Sequence, residues 1–343
     1  RVDLKQESVW IVGAEDSQVT QLKSAQNTHT YRGSFLVADD KEAPLSIINW
    51  VHLEKYLYSV VKSEMPARWH GQALRAQAVA ARTFALELVK KSRDKTDKIW
   101  DVLPTVRHQA YLGAGNEARS TTLAVQDTQG KILVYDGKVI VANFHGHSGG
   151  ATCDSATKWG GDGHPYLTSV KDAEGVNNLE SANKEEKRIS IEELNTIFSE
   201  GQSRFISTFS ATDLLVPKNE ISGLSLGLTI MSSGQSIYSE MRSQNGKFVA
   251  ETNSMKKFRD EFLNKNKCKN FDIEKGTDDW KITMYGDSHG VGMSQEGANC
   301  FAGGYPNTCM PDGGAWNHER ILKHYYTGVE LVELETIFPE GDK

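Results

Sequence analysis

Three groups of residues in this sequence have types and spacings that could do chemistry. The first is Glu64 with Arg82. Leu53, Leu57, Val60 and Val61 recur with a helical period, which puts Glu64 on the same stripe, at the C-terminal end of the helix. Burial and the negative pole of the helix dipole both disfavour a charged carboxylate there, so Glu64 is placed to carry a proton near neutral pH and act as a general acid. The helix that follows offers Gln77, Arg82 and Thr83 as donors to a sugar or a carboxylate. The alternative is a helix-terminal glutamate that faces water or pairs with an arginine.

The second group is Phe144-His-Gly-His-Ser-Gly-Gly150. It fits the G-x-S-x-G nucleophile elbow through Gly146, Ser148 and Gly150, with a strand expected over Val139 to Phe144. An elbow needs a helix directly after it, and the Gly- and Pro-rich run from Ala151 to Pro165 argues against one. Asp287 and His289 are available as downstream partners. The same stretch holds His145, His147, Cys153 and His164, and imidazole with thiolate suits a zinc ion, although the spacing matches no standard zinc pattern. Loop histidines with a buried or disulfide-bonded cysteine are the alternative. The third group is Asp287-Ser-His-Gly-Val-Gly-Met-Ser-Gln-Glu-Gly297, where glycines allow close backbone approach and Ser288, His289, Ser294 and Gln295 offer hydrogen bonds. It lacks G-K-[ST], so it is no P-loop, and it lacks the strand-loop-helix setting of a dinucleotide fingerprint.

These groups must be positioned by a chain of 343 residues, long enough for two or three domains. Short strands are expected over Ser8 to Gly13, Tyr31 to Ala38 and Leu45 to Val51. A helix from His52 should end near Glu64, because Pro66 disfavours helical geometry at Met65. A second, Ala-rich helix spans about His70 to Lys91. Asp136-Gly137 between apolar runs reads as a hairpin. Residues 174–280 are more polar, carry the charge run Asn183 to Arg188 and include a capping pattern, Ser190-Ile-Glu-Glu, before a helix near 191–199. They read as an insertion or subdomain between a first part, 1–173, and a last part, 281–343, which closes with a helix over Trp316 to Tyr326. Strands, two helices and then strands indicate an α+β fold of mixed short-strand sheets.

Hydrophobic residues make up 38% and charged residues 24%, with a mean hydropathy of −0.49, which describes a globular, water-soluble chain. No run of 18 apolar residues is present, so no membrane span is encoded. A net charge of −6, with no basic tract of five, argues against nucleic acid as a partner. The chain opens at Arg1 without a charged-then-apolar leader, as a mature protein whose signal peptide is absent, or a recombinant chain, would. Cys300 and Cys309 bracket a Gly/Pro/Asn-rich loop suited to a disulfide in an oxidising compartment, and Cys153 could pair with Cys268. Four free thiols in a cytosolic protein is the alternative.

Taken together, several blocks resemble the stage II sporulation protein D (SpoIID/LytB) family. They are Tyr56-Leu-x-x-Val60-Val61-x-x-Glu64-Met65-Pro66, Ala76-Gln-Ala-Val-Ala-Ala-Arg-Thr-Phe-Ala85, Ser148-Gly-Gly-x-Thr152 with Pro165-Tyr-Leu167, His289-Gly-Val-Gly-Met-Ser-Gln295 and Ile321-Leu-Lys-His-Tyr-Tyr-Thr-Gly328. The resemblance runs from about 31 to 173 and from about 282 to 332, and largely leaves out 174–280.

The resemblance implies a secreted or envelope-facing lytic transglycosylase acting on peptidoglycan glycan strands, with Glu64 as the catalytic glutamate and Arg82 as its important arginine. Gln77, Ser148, His289, Ser294 and Gln295 would bind substrate. It requires no cofactor for the chemistry and allows a structural zinc at His145, His147 and Cys153. Cys153 stands where the family often has a glutamate or similar polar residue. The chemistry agrees: a transglycosylase needs one acid, because the 6-hydroxyl of the substrate attacks the anomeric carbon. A hydrolase would need a second carboxylate, for which Asp101, Asp136, Asp154, Asp162 and Asp287 are candidates. Other members are described as amidase enhancers, so other cell-wall enzymes are expected partners. A non-catalytic peptidoglycan-binding module and a serine hydrolase using Ser148 remain the rival readings.

Overall fold

The computed structural model of this chain describes residues 9–11, 19–23, 28–40, 43–94, 98–179, 184–190, 270–275, 279–286, 288–309 and 314–338. The chain divides into two compact units, residues 1–142, 317–319 and 329–343 in the first and 143–316 and 320–328 in the second.

The first unit opens with β1 (Val9–Ile11), β2 (Val19–Lys23), β3 (Thr28–Arg32), β4 (Ser34–Asp40) and β5 (Ala43–Trp50). β1, β4 and β5 form an antiparallel sheet in the order β1-β4-β5, and β2 pairs with β3. The single strand expected over Tyr31 to Ala38 is broken at Gly33. Its φ is +79°, and a side chain there would run into the Trp50 carbonyl, so glycine is needed for both reasons.

Helix α1 (Leu53–Glu64) follows, then α2 (Gly71–Arg93). Histidine caps both: Nδ1 of His52 accepts from the Glu54 N–H and Nδ1 of His70 from the Gln72 N–H, each at 3.3 Å. α1 stops where Pro66 requires, with Met65 extended at φ −127° and ψ 140°. Helix α3 (Arg119–Asp127) packs on both. Leu57, Val60, Val61, Leu74, Ala78, Ala81 and Val125 of these three helices are buried. The β6 (Lys131–Tyr135) and β7 (Lys138–Val139) hairpin turns at Asp136 and Gly137, with φ of 49° and 67°, the positive pair a two-residue hairpin requires.

The second unit contains β8 (Phe144–His145), α4 (Ser155–Trp159), β9 (Lys184–Ser190), β10 (Asn270–Lys275), β11 (Asp279–Tyr285), β12 (Met293–Ser294), α5 (Gln295–Phe301) and α6 (His318–Tyr325), whose first two residues count with the first unit. β12 runs parallel to β8, pairing Met293 with Phe144 and Ser294 with His145, and Cys153 bridges to Val291. That pairing joins 143–173 to 288–328 within the second unit. The charge run near 184 is a strand: β9 lies in an antiparallel sheet of order β10-β11-β9, with Glu186 paired to Lys281 and Arg188 to Asp279, each at 2.9 Å. Cys300 and Cys309 form the expected disulfide. The helix expected near 191–199, Asp287 and Cys268 lie outside the described residues.

The chain then returns to the first unit. β13 (Glu330–Glu333) pairs antiparallel with β6, giving a sheet of order β13-β6-β7, and α7 (Leu334–Ile337) follows it. The fold is α+β, helices with several short sheets and no barrel among the described residues. No described helix is long and apolar enough to cross a membrane.

Candidate functional site

Glu64 is the last residue of α1 and is half-buried, less enclosed than Val60 and Val61 on the same stripe. Its Oε1 accepts a hydrogen bond from the Ala110 N–H at 3.0 Å. Residue 110 belongs to a segment, 103–116, laid along one face of α1. The Leu112 N–H donates to Ser59 Oγ at 3.2 Å, and Asn116 Nδ2 donates to Ser63 Oγ at 2.7 Å. The Tyr56 hydroxyl donates to Gln109 Oε1 at 3.1 Å, and Gln109 Nε2 donates to the Ala81 carbonyl at 3.2 Å. Burial, and then the charge of Glu64, hold the Tyr56 phenol far above its ordinary range, so it remains a neutral donor. A partly open carboxylate, oriented by a backbone amide beside a neutral phenol, can exchange a proton with a bound ligand.

Arg82 lies elsewhere. Its side chain is 0% exposed, and Nε and Nη2 donate to the two carboxylate oxygens of Glu54, each at 2.7 Å. Nη1 donates to the Lys131 carbonyl at 3.0 Å and Nη2 to that of Val125 at 3.3 Å. The guanidinium thus ties α1, α2, α3 and β6 together from within the core. Gln77 on the same helix is also fully buried. The expectation that both reach out from α2 to a ligand meets two side chains enclosed by the first unit.

Ser148, His289, Ser294 and Gln295 belong to the second unit, where the two glycine-rich motifs come together through the β8–β12 pairing. Ser148 is 2% exposed, and its hydroxyl donates to Asp172 Oδ2 in a short hydrogen bond. Asp172 also accepts from the Tyr325 hydroxyl at 2.5 Å and from the Ala173 N–H at 2.8 Å, both on Oδ1. Ser294 is wholly buried, and its Oγ accepts from the Gly297 N–H at 3.1 Å as the cap of α5. Gln295 is buried as well, and His289 is half-buried. Both serine hydroxyls are engaged inside the protein. A short helix, α4, does form between Ala151 and Pro165, where the Gly- and Pro-rich sequence argued against one. Asp154 caps it by accepting from the Ala156 and Thr157 N–H groups at 2.8 and 3.2 Å, and Gly160 at φ +84° ends it. It does not follow Ser148 directly, and the Ser148 proton goes to a carboxylate and not to an imidazole, so the elbow reading is not supported.

The residues of the zinc expectation are engaged within the protein. Cys153 is disulfide-bonded, so its sulfur is no thiolate. His147 donates from Nε2 to the Val176 carbonyl at 3.1 Å and accepts at Nδ1 from the Gly149 N–H at 3.0 Å, so both ring nitrogens face backbone. His145 donates from Nδ1 to the Val291 carbonyl at 3.2 Å. Burial, and then the neighbouring His289, push His145 down to about 3; burial, and then Lys158, push His289 down to about 4. Among the described residues no group of three His, Cys, Asp or Glu side chains is gathered to hold a metal ion. The residues present do not fit a zinc centre.

Among the carboxylates named for a hydrolase, Asp101 accepts from Ser92, Asp136 sits in the β6–β7 turn and Asp154 caps α4. Residues that sequence reasoning missed are Glu54, Gln109, the Ala110 amide, Asp172 and Tyr325. Tyr325 lies inside a quoted block, but nothing in the sequence pointed to Asp172 as its partner.

Residues 41–135, which include Glu64, Arg82 and Gln109, match the family model described as stage II sporulation protein. An uncharacterized protein of Brachyspira hyodysenteriae is 29% identical over 321 residues, 90% of this chain and 74% of that one. Stage II sporulation protein D of Bacillus amyloliquefaciens is 29% identical over 331 residues, 86% of this chain and 81% of that one. The amidase enhancer of Bacillus subtilis is 26% identical over 310 residues, 80% of this chain and 40% of that one. A span of 90% takes in part of 174–280, which the resemblance by motifs left out. The motif blocks, the stage II sporulation protein domain matched over residues 41–135 and these relatives agree, and the chain is similar to proteins of the SpoIID/LytB family.

Proposed function

We propose that this protein is a lytic transglycosylase that cleaves the glycan strands of peptidoglycan, with Glu64 as the single acid and base. The observation that carries the reading is the half-buried Glu64 carboxylate held at 3.0 Å by the Ala110 N–H at the end of α1. Glu64 gives its proton to the glycosidic oxygen as the bond to the anomeric carbon breaks. The substrate's 6-hydroxyl then attacks that carbon, and the Glu64 carboxylate takes the hydroxyl proton, which closes a 1,6-anhydro ring and restores the acid. The Ala110 N–H stabilises the carboxylate during the interval in which it is charged. Arg82 acts here as a positioning residue, fixing α1 through Glu54.

A secreted or envelope location is supported by the Cys300–Cys309 disulfide, which persists in oxidising compartments. Mass spectrometry of the products from denuded and intact peptidoglycan tests the activity, with Glu64→Gln as the control. The second reading, a non-catalytic module that stimulates other cell-wall enzymes, rests on the relative called amidase enhancer. It expects glycan binding without product.

A further inference from the structure

We propose that Gln109 is a positioning residue that holds the Ala110 amide against Glu64. The inference rests on Glu64 as the acid but concerns a residue outside the motif blocks. Gln109 is 0% exposed although it lies in an irregular segment. Its side-chain amide uses both ends: Oε1 accepts from the Tyr56 hydroxyl of α1 at 3.1 Å, and Nε2 donates to the Ala81 carbonyl of α2 at 3.2 Å. One side chain therefore fastens the segment to both helices at the position immediately before the amide that meets the carboxylate.

The surrounding contacts fix the rest of the segment. Pro104 accepts from the Tyr111 N–H at 3.3 Å, the Tyr111 hydroxyl donates to Asn49 Oδ1 at 2.8 Å, and Leu112 is fastened to Ser59. Of these, only the Gln109 bonds bear on the residue adjacent to Ala110 from both helices at once. An unfastened segment would loosen the Ala110 donor on the Glu64 carboxylate, which disfavours its charged form and widens the range of positions it can adopt. The charged and titratable groups on the packed elements are Glu54, Lys55, Tyr56, Tyr58 and Lys62 on α1, Arg75, Arg82, Glu87, Lys90, Lys91 and Arg93 on α2, and Arg107, His108 and Tyr111 in the segment; changing Gln109 alters the charge of none of them and takes a hydrogen-bond acceptor from Tyr56.

The test is Gln109→Met, which keeps the volume and removes both hydrogen bonds, together with Tyr56→Phe, which removes only the hydroxyl donor. The Glu64 carboxyl titration is followed by carbon-13 NMR in the folded protein, and kcat is measured on denuded glycan against pH. The midpoint of Glu64 should rise by roughly one pH unit in either variant. The alkaline limb of kcat should move up with it, while kcat at its optimum falls about tenfold and KM changes little. The double variant should do no more than Gln109→Met alone, since both remove the same bridge. An unchanged Glu64 titration in both variants overturns the inference. If Gln109→Met does not fold, Tyr56→Phe decides with the same readouts. Failure of the functional reading is separate: it shows as glycan cleavage that survives Glu64→Gln, or as no cleavage by the wild type, and leaves the NMR result to judge Gln109.

Discussion

Arg82 and Glu54 form a two-pronged ion pair across 28 positions of the chain, with both N···O distances at 2.7 Å, and the arginine side chain is completely buried. The pair lies beneath the helix that ends in Glu64, which makes it a fastening of that helix.

Removing one partner should therefore act through stability. Arg82→Met leaves the Glu54 carboxylate uncompensated and should destabilise the protein by about 3–5 kcal/mol, and Glu54→Gln should act in the same direction. Arg82→Lys should not restore stability, because an ammonium cannot make the two parallel bonds. Denaturant unfolding checks this. A folded Arg82→Met variant of wild-type stability that has lost activity would instead mean direct contact with substrate.

Much of this arrangement was legible in the residues, and some was not. Pro66 fixed the end of α1, and Asp136-Gly137 fixed the hairpin, because both act on their own backbone. The partner of Arg82 was not legible: an arginine fits any of 45 acidic residues, and only the packing of α1 on α2 selects Glu54. The helix caps His52 and His70 fall outside the residue types usually sought. α4 was missed because Asp154 caps it within a glycine-rich stretch that reads as a loop. The Ala110 donor on Glu64 is a backbone amide, which carries no mark of residue type.

Ser148 should resist a fluorophosphonate probe, because its hydroxyl is buried and donates to Asp172. Ser148→Ala should cost about 1–3 kcal/mol by leaving that carboxylate short of a donor. Gel fluorescence and thermal unfolding check both. Labelling at Ser148 that is lost in the alanine variant would revive the serine hydrolase.

Gly297→Ala should be among the more damaging single-methyl changes, at roughly 3 kcal/mol, because an added Cβ would run into Asp172 Oδ1 and the Tyr325 hydroxyl. Asp172→Asn should lose stability through the same cluster. Thermal unfolding of the two variants and their combination should show non-additive losses, since both disturb one set of contacts.

His324 gives a pH prediction. Burial lowers its pKa, offset in part by its bond from Nε2 to the Lys171 carbonyl at 2.8 Å. A histidine with a lowered folded pKa binds its proton more readily when unfolded, so its contribution is intact above about pH 6.5 and is lost as pH falls below it. Melting temperature should thus fall between pH 7 and 5, and less steeply in His324→Gln. Equal slopes would remove His324 from the explanation.

The most direct measurement is mass spectrometry of the glycan fragments released by the wild type and by Glu64→Gln, with circular dichroism confirming that the variant is folded. Anhydro-muramyl ends produced by the wild type alone are the predicted result. Reducing ends from the wild type, or anhydro ends that persist in Glu64→Gln, would contradict a transglycosylase working through Glu64.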